Sequence, residues 1–103
     1  MPKNSLALSI IASYTLRVSS DSEVDVVYSI IVDDLPTGVS VKLDNGSFIQ
    51  ETNGEVAFND VDTILFTDVN KTKTHTLTYK ASSSTSLVNN VETNVYVVMR
   101  QTV

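Results

Sequence analysis

The segment EVDVVYSIIVDD, residues 23–34, is the densest apolar run in the chain and decides its fold. One phase of its two-residue alternation is entirely apolar or aromatic: Val24, Val26, Tyr28, Ile30 and Val32. The other phase carries Val27 and Ile31, so both faces of the segment need some cover. Such a run of β-branched and aromatic residues predicts a central strand of a packed sheet. The carboxylates at its two ends act as gatekeepers against edge-to-edge pairing with other copies.

Shorter segments with strand character follow at intervals on both sides of this run. Turn signals separate them, the strongest being the Asn-Gly pairs at 45–46 and 53–54 and the Leu35-Pro36-Thr37-Gly38 stretch. After the first Asn-Gly pair, Phe48 or Ile49 is expected to face the core. The expected strands are 5–18 (one long strand, or two joined by a bulge near 11–13), 23–33, 39–43, 47–50, 55–58, 63–67, 72–81 and 92–103, with residues 59–62 forming a polar corner. This spacing predicts an all-β antiparallel sandwich or small barrel of seven to nine strands.

Composition narrows the function classes. The 103 residues predict a single domain spanning 1–103, and the chain contains no cysteine. The net charge is -5 and the seven basic residues are scattered, which argues against nucleic-acid binding. No apolar run approaches the roughly 18 residues of a membrane span.

Three segments resemble the immunoglobulin-like sandwich domains of phage virions and bacterial surface proteins. They are Leu35–Val41 (LPTGVSV), Asn53–Phe58 (NGEVAF) and Thr74–Ala81 (THTLTYKA), in that order along the chain. The Cys pair and Trp of antibody domains are missing. The resemblance implies an immunoglobulin-like β-sandwich that binds or builds, and it carries no catalytic residue over.

Catalytic and metal-binding patterns are sparse. The single histidine, His75, lies in an alternating strand, where a packing or solvated role explains it better than a role as catalytic base. Asp60, Asp62 and Asp68 are candidate calcium ligands in neighbouring loops, although roles as solvated turn residues and strand gatekeepers explain them better. We therefore expect no enzymatic activity, no cofactor and no small-molecule substrate.

The function that these observations favour is structural. We expect a virion protein, a phage capsid decoration or cement subunit on the virion surface that binds a coat-protein lattice and other copies of itself. The alternative is a subunit or module of a bacterial surface filament (pilus) or adhesin, at the cell surface or outside the cell. A carbohydrate-binding module is a third possibility, but strand positions in the core account for all four tyrosines.

The two ends of the chain are the expected assembly contacts, because both continue strand-like patterns almost to the termini. The candidate residues are Pro2, Lys3, Asn4, Leu6 and Leu8 at one end and Arg100, Gln101 and Val103 at the other.

Overall fold

The computed structural model describes residues 8–82 and 92–102. This part of the chain forms strands β1 (Leu8–Ser19), β2 (Val26–Asp33), β3 (Val39–Leu43), β4 (Ile49–Gln50), β5 (Val56–Ile64), β6 (Thr72–Ser82) and β7 (Asn94–Gln101). They make two antiparallel sheets, one in the order β1-β6-β3-β4 and the other in the order β5-β2-β7. The all-β, two-sheet architecture predicted from the sequence is confirmed. No helix in the described residues has the length and apolar character needed to span a bilayer.

The order of the strands differs from that of an immunoglobulin constant domain. The seven strands of that domain, lettered A to G in chain order, form one sheet in the order ABED and another in the order CFG. Its first strand therefore pairs with its second. Here β1 pairs with β6, and β2 lies in the opposite sheet between β5 and β7. The described strands therefore show a two-sheet architecture in which the first and last strands, β1 and β7, are placed differently from those of a constant domain.

β2 is the central strand of the smaller sheet, as its sequence predicts. Its even-numbered apolar side chains, Val26, Tyr28, Ile30 and Val32, are all buried. Val32 packs in a cluster with Val39, Val41, Leu77, Tyr79 and Ala81 of the larger sheet. The other three pack in a second cluster with Val18 of the larger sheet and Ile64 of β5. Burial of each such aliphatic side chain contributes about 1.5–3 kcal/mol. The core between the sheets is thus the main source of stability.

A β-bulge interrupts β1, in agreement with the prediction near residues 11–13. Ile10 pairs with Lys80 but Ala12 pairs with Tyr79, so Ile11 is the extra residue. The inserted residue changes the phase of the strand. As a result Ile10 faces outward and is 67% exposed, whereas Ile11 is partly buried against the core.

The prediction of a polar corner at residues 59–62 is wrong, because these residues lie within β5. A register shift there opposes Asp62 to Tyr28 and Phe58 to Ile30. Asp60 takes up the extra length at φ 49°, a left-handed conformation that Asp tolerates, and its amide donates to Ser29 Oγ at 3.1 Å. β5 ends at Ile64, so residues 65–67 of the strand expected at 63–67 leave the sheet in a turn closed by the Asp68 amide on the Leu65 carbonyl.

The two Asn-Gly pairs behave differently. Asn53 and Gly54 have φ of 53° and 81° and join Thr52 to Glu55 in a two-residue hairpin turn, as predicted. The first pair belongs to a longer loop between β3 and β4. Of Phe48 and Ile49, one of which was expected to face the core, Ile49 lies opposite the buried Val41 and so on the core side of the sheet, although it is 44% exposed in the edge strand β4. Phe48 lies beneath the ammonium groups of Lys42 and Lys80, 5.1 and 3.8 Å from its ring centre.

Candidate functional site

The outer face of the smaller sheet, on the side away from the core, is apolar across its middle. The register of β2 places Ala57, Ile31 and Tyr96 side by side in one row. In the next rows Val98 lies beside Ser29, and Arg100 lies beside Val27. Tyr96 and Val98 are 49% and 51% exposed, while Val27 and Ile31 are half-buried between their neighbours. We call this surface the apolar face: Val27, Ile31, Ala57, Tyr96 and Val98.

A polar pair lies at each end of the apolar face. At one end an Arg100 Nη donates to Asp60 Oδ1 at 2.7 Å, reaching across the sheet from β7 to β5. At the other end the Asn94 amide donates to Asp34 Oδ2 at 2.6 Å. An apolar centre with a polar rim is the arrangement found in protein–protein interfaces. Contiguous exposed apolar surface on a folded domain is typical of an interaction site.

The outer face of the larger sheet has the opposite character. Its outward side chains are mostly hydroxylated or basic: Ser13, Thr15 and Arg17 on β1, Thr74, Thr76, Thr78 and Lys80 on β6, and Ser40 and Lys42 on β3. Ile10 and Phe48 are its apolar members, and Phe48 is covered by two lysines. The two outer faces of the sandwich therefore differ in character: one is apolar across its middle and the other is mainly hydroxylated and basic.

The predicted assembly residues fall into three groups. Leu8 begins β1 and pairs with Ser82, at the end of the sandwich where β2 finishes and β7 begins. Arg100 and Gln101 lie at the opposite end, paired with Val27 and Val26. The other five, Pro2, Lys3, Asn4, Leu6 and Val103, lie outside the described residues. The structure thus brings Arg100 and Gln101 together and separates them from Leu8.

The three candidate calcium ligands do not converge. Asp60 is paired with Arg100, and Asp62 lies 3.8 Å from the Lys73 ammonium. Asp68 lies in the turn after β5, where its amide binds the Leu65 carbonyl. In residues 8–82 and 92–102, no group of three or more carboxylate or imidazole side chains is arranged to hold a metal ion. A cation partner already occupies two of the three carboxylates.

His75 has partners that the sequence pattern did not reveal. Its Nδ1 lies 2.7 Å from Asp44 Oδ2, and its Nε2 lies 2.6 Å from the Tyr28 hydroxyl. Because a carboxylate only accepts, Nδ1 of the neutral ring carries the proton and Nε2 accepts from Tyr28. Burial raises the pKa of Tyr28 to about 12, helped by the charges of Asp62 and Asp44. Tyr28 is 1% exposed, so this chain of bonds joins the two sheets and offers no accessible nucleophile.

Asp44 is held by the same network. Its Oδ1 accepts the Thr76 amide at 2.8 Å, and its own amide donates to the Thr76 carbonyl at 2.8 Å. Burial acts to raise the pKa of Asp44, but the hydrogen bonds from His75 and Thr76 outweigh burial and lower it. The carboxylate therefore stays ionised and fixes the tautomer of His75.

A groove opens where β1 and β7, edge strands of different sheets, approach each other. Its volume is about 640 Å³, and its walls include Tyr14, Leu16 and Tyr79 on one side and Thr93 and Val95 on the other. The Tyr79 hydroxyl lies 3.1 Å from Thr93 Oγ1, and its ring packs edge-on against Tyr14 with centroids 5.5 Å apart. These contacts connect the edges of the two sheets across the groove.

The prediction that core positions explain all four tyrosines is wrong for two of them. Tyr28 and Tyr79 are fully buried, but Tyr14 and Tyr96 are about half exposed. These two lie on different sheets, in β1 and β7, and so do not form one aromatic platform.

The chain matches no protein family model, no curated protein and no solved structure. The apolar face and the groove therefore carry the functional argument by themselves.

Proposed function

We propose that this protein is a structural, non-enzymatic virion component, a phage capsid decoration or cement subunit. In this proposal the apolar face lies against the coat-protein lattice. The opposite, Thr-, Ser- and Lys-rich face of the larger sheet points into the surrounding water.

The observation that supports the proposal is the contrast between the two outer faces. A sheet face exposed to water normally carries polar side chains at alternate positions. The larger sheet follows that rule, whereas the smaller sheet presents Tyr96, Val98 and Ala57 with Ile31 between them. A subunit that lies flat on a lattice uses one face for contact and leaves the other in solvent, which requires this asymmetry.

The small apolar face is suited to a weak contact between one subunit and the lattice. A three-stranded sheet offers a flat and shallow surface without a deep pocket. On a repeating lattice, many such contacts act together if copies are linked to one another, and avidity then exceeds the affinity of a single contact. The net charge of -5 disfavours adsorption to the nucleic acid inside a particle.

The alternative, a subunit or module of a bacterial surface filament or adhesin, is favoured by one specific feature. The groove between β1 and β7 is lined in part by Tyr14, Leu16 and Val95. An extended segment of a neighbouring subunit could lie in such a groove by strand addition. In that arrangement the groove would be the assembly site, and the apolar face would be secondary.

Immunogold labelling with antibodies to this chain distinguishes the two roles. We expect gold on purified virus particles from the source culture, at regular positions on the capsid. Capsids assembled without this chain should then bind the purified protein to a saturable number of copies per particle. Labelling of cell-surface filaments, with particles unlabelled, would contradict the virion role and support the alternative.

A further inference from the structure

The four edges of the two sheets are protected unequally. An exposed edge strand tends to pair with another chain unless it is very short, bulged, charged or covered. β4 has two residues, β1 contains the bulge at Ile11, and β5 contains the bulge at Asp60. Each of these three edges therefore has a device that opposes pairing.

β7 has none of these devices among the described residues. Its eight residues pair with β2 from Asn94 to Gln101 without a register shift. The strand contains one charged residue, Arg100, whose guanidinium is held by Asp60 over the outer face of the sheet. Apolar side chains are exposed on both of its faces, Tyr96 and Val98 on the outer one and Val95 and Met99 on the inner one.

We propose that β7 pairs with β7 of a second copy of this chain, antiparallel and about a two-fold axis that passes through Tyr96. The two three-stranded sheets then become one six-stranded sheet, and the two apolar faces become one continuous surface. The inference does not rest on the virion role, since edge pairing would serve a dimer in any setting.

Charge complementarity selects this register. Facing residues of an antiparallel pair lie on the same face of the sheet, so their numbers differ by an even number. With the axis at Tyr96, Glu92 of each copy lies opposite Arg100 of the other, while Val95 lies opposite Val97. An axis at Val97 places Arg100 opposite Asn94, and an axis at Val98 places it opposite Tyr96. Of these three registers, only the first pairs opposite charges.

Arg100 changes its partner in the proposed dimer. In the single chain one Nη donates to Asp60 at 2.7 Å, across β2 and away from the edge of β7. The Arg100 side chain is 62% exposed and Asp60 is 60% exposed, and an ion pair in such a position contributes little. Arg100 can therefore leave Asp60 and pair with Glu92 of the second copy at small cost.

Cysteine cross-linking tests the register directly, because the native chain contains no cysteine. Facing residues on one face have Cβ atoms about 4.5–5.5 Å apart, close to the separation that a disulfide requires. We expect Tyr96→Cys to form a disulfide-linked dimer under mild oxidation. Val98→Cys, on the same face and similarly exposed, should not form the disulfide-linked dimer, because residue 98 of the second copy is displaced by four residues. Cross-linking of Val98→Cys in preference to Tyr96→Cys would overturn the register.

Charge exchange tests the interface without cysteine. Sedimentation velocity of the native chain should show a shift from the monomer to twice its mass as concentration rises. Glu92→Lys alone, and Arg100→Glu combined with Asp60→Asn, should each stay monomeric over the same range. An equimolar mixture of the two variants should recover the dimer, because both cross-strand pairs are then attractive. Glu55→Lys, the same charge change on the remote hairpin turn, and Asp60→Asn alone are the controls and should dimerise.

A native chain that is monomeric at every concentration, with neither cysteine variant cross-linking, would overturn the proposal. It would mean that the edge of β7 does not bind a second copy of the chain.

Discussion

The Tyr28 hydroxyl lies 2.6 Å from Nε2 of His75, and this bond joins the two sheets through the core. Tyr28 is on β2 of the smaller sheet and His75 is on β6 of the larger one. Both side chains are buried, and Asp44 orients the ring from the loop after β3. A polar link of this kind is stabilising only when every member has a partner, and none of the buried side-chain polar atoms in the described residues lacks one.

Tyr28→Phe should therefore destabilise the fold by about 1–3 kcal/mol, because it leaves the buried Nε2 of His75 without a donor. Urea unfolding followed by circular dichroism measures the change. Tyr96→Phe is the matched control, since Tyr96 is half exposed and water can replace its hydrogen bonds. Equal effects of the two substitutions would show that the Tyr28–His75 bond contributes nothing.

The same tyrosine predicts a loss of stability in alkali. The pKa of Tyr28 is raised to about 12 from its ordinary 10.0, chiefly by burial. A raised pKa means that the folded state holds the proton more tightly than the unfolded state. Its contribution is complete below pH 10 and is lost as pH rises from 10 to about 12. Unfolding measured over this range should show a fall in stability that is smaller in Tyr28→Phe. If the stability of the native chain and that of Tyr28→Phe fell equally steeply between pH 10 and 12, the loss could not be assigned to Tyr28.

Acid should weaken the turns that flank β3 and β4. Hydrogen bonds from the Gly54 and Gly38 amides, at 2.8 and 3.1 Å, lower the pKa of Glu51 below its ordinary 4.5. A lowered pKa favours the folded state above pH 4.5, and that contribution is lost as pH falls through the folded-state value. We expect Glu51→Gln to reduce stability at neutral pH and to flatten its decline below pH 4.5, as measured by thermal unfolding.

Glu55→Gln is the control for this prediction. Glu55 is a nearby exposed carboxylate, and its backbone, rather than its side chain, closes the Asn53-Gly54 turn. This variant should leave both the stability and its pH dependence unchanged. A decline below pH 4.5 that persists in Glu51→Gln would assign acid sensitivity to other groups, such as Asp44.

The strands that the sequence predicted well are those whose burial follows a simple alternation. β2 buries alternate side chains, and β6 does so except at Thr78, which is also buried. Tyr28 and Ile30 in β2, and Leu77 and Tyr79 in β6, therefore reveal the inward face without knowledge of the partner strand. β5 was missed in part because Asn59-Asp60-Val61-Asp62 has the composition of a turn. The Ser29 hydroxyl and the register of β2 hold those residues in a bulge, and neither is visible in the local sequence.

The apolar face was harder to predict from the sequence, because the position of β7 in its sheet is not visible in the local sequence. Both phases of β7 are apolar, as in β2, and composition alone cannot distinguish a central strand from an edge strand. Only the sheet order shows that Tyr96 and Val98 have no layer above them among the described residues. Tyr28 and His75 are 47 residues apart in the chain, so no short motif could have indicated their bond.

Ala57→Lys tests the apolar face without disturbing the edge of β7. Ala57 is exposed on β5, beside Ile31 and on the far side of the sheet from the β7 edge. A lysine there places an ammonium group within the proposed contact, where burial of a charge without a partner is costly. We expect the variant to fold with stability within about 0.5 kcal/mol of the native chain and to bind capsids at least tenfold more weakly.

Thr76→Lys provides the matched control, because it adds the same charge to an exposed strand position on the opposite outer face. This variant should bind capsids as the native chain does. Both lysine variants should dimerise normally, so a binding defect in Ala57→Lys alone would separate lattice contact from self-association. Weakened binding by Thr76→Lys with normal binding by Ala57→Lys would instead place the contact on the polar face and reverse the proposed orientation of the subunit.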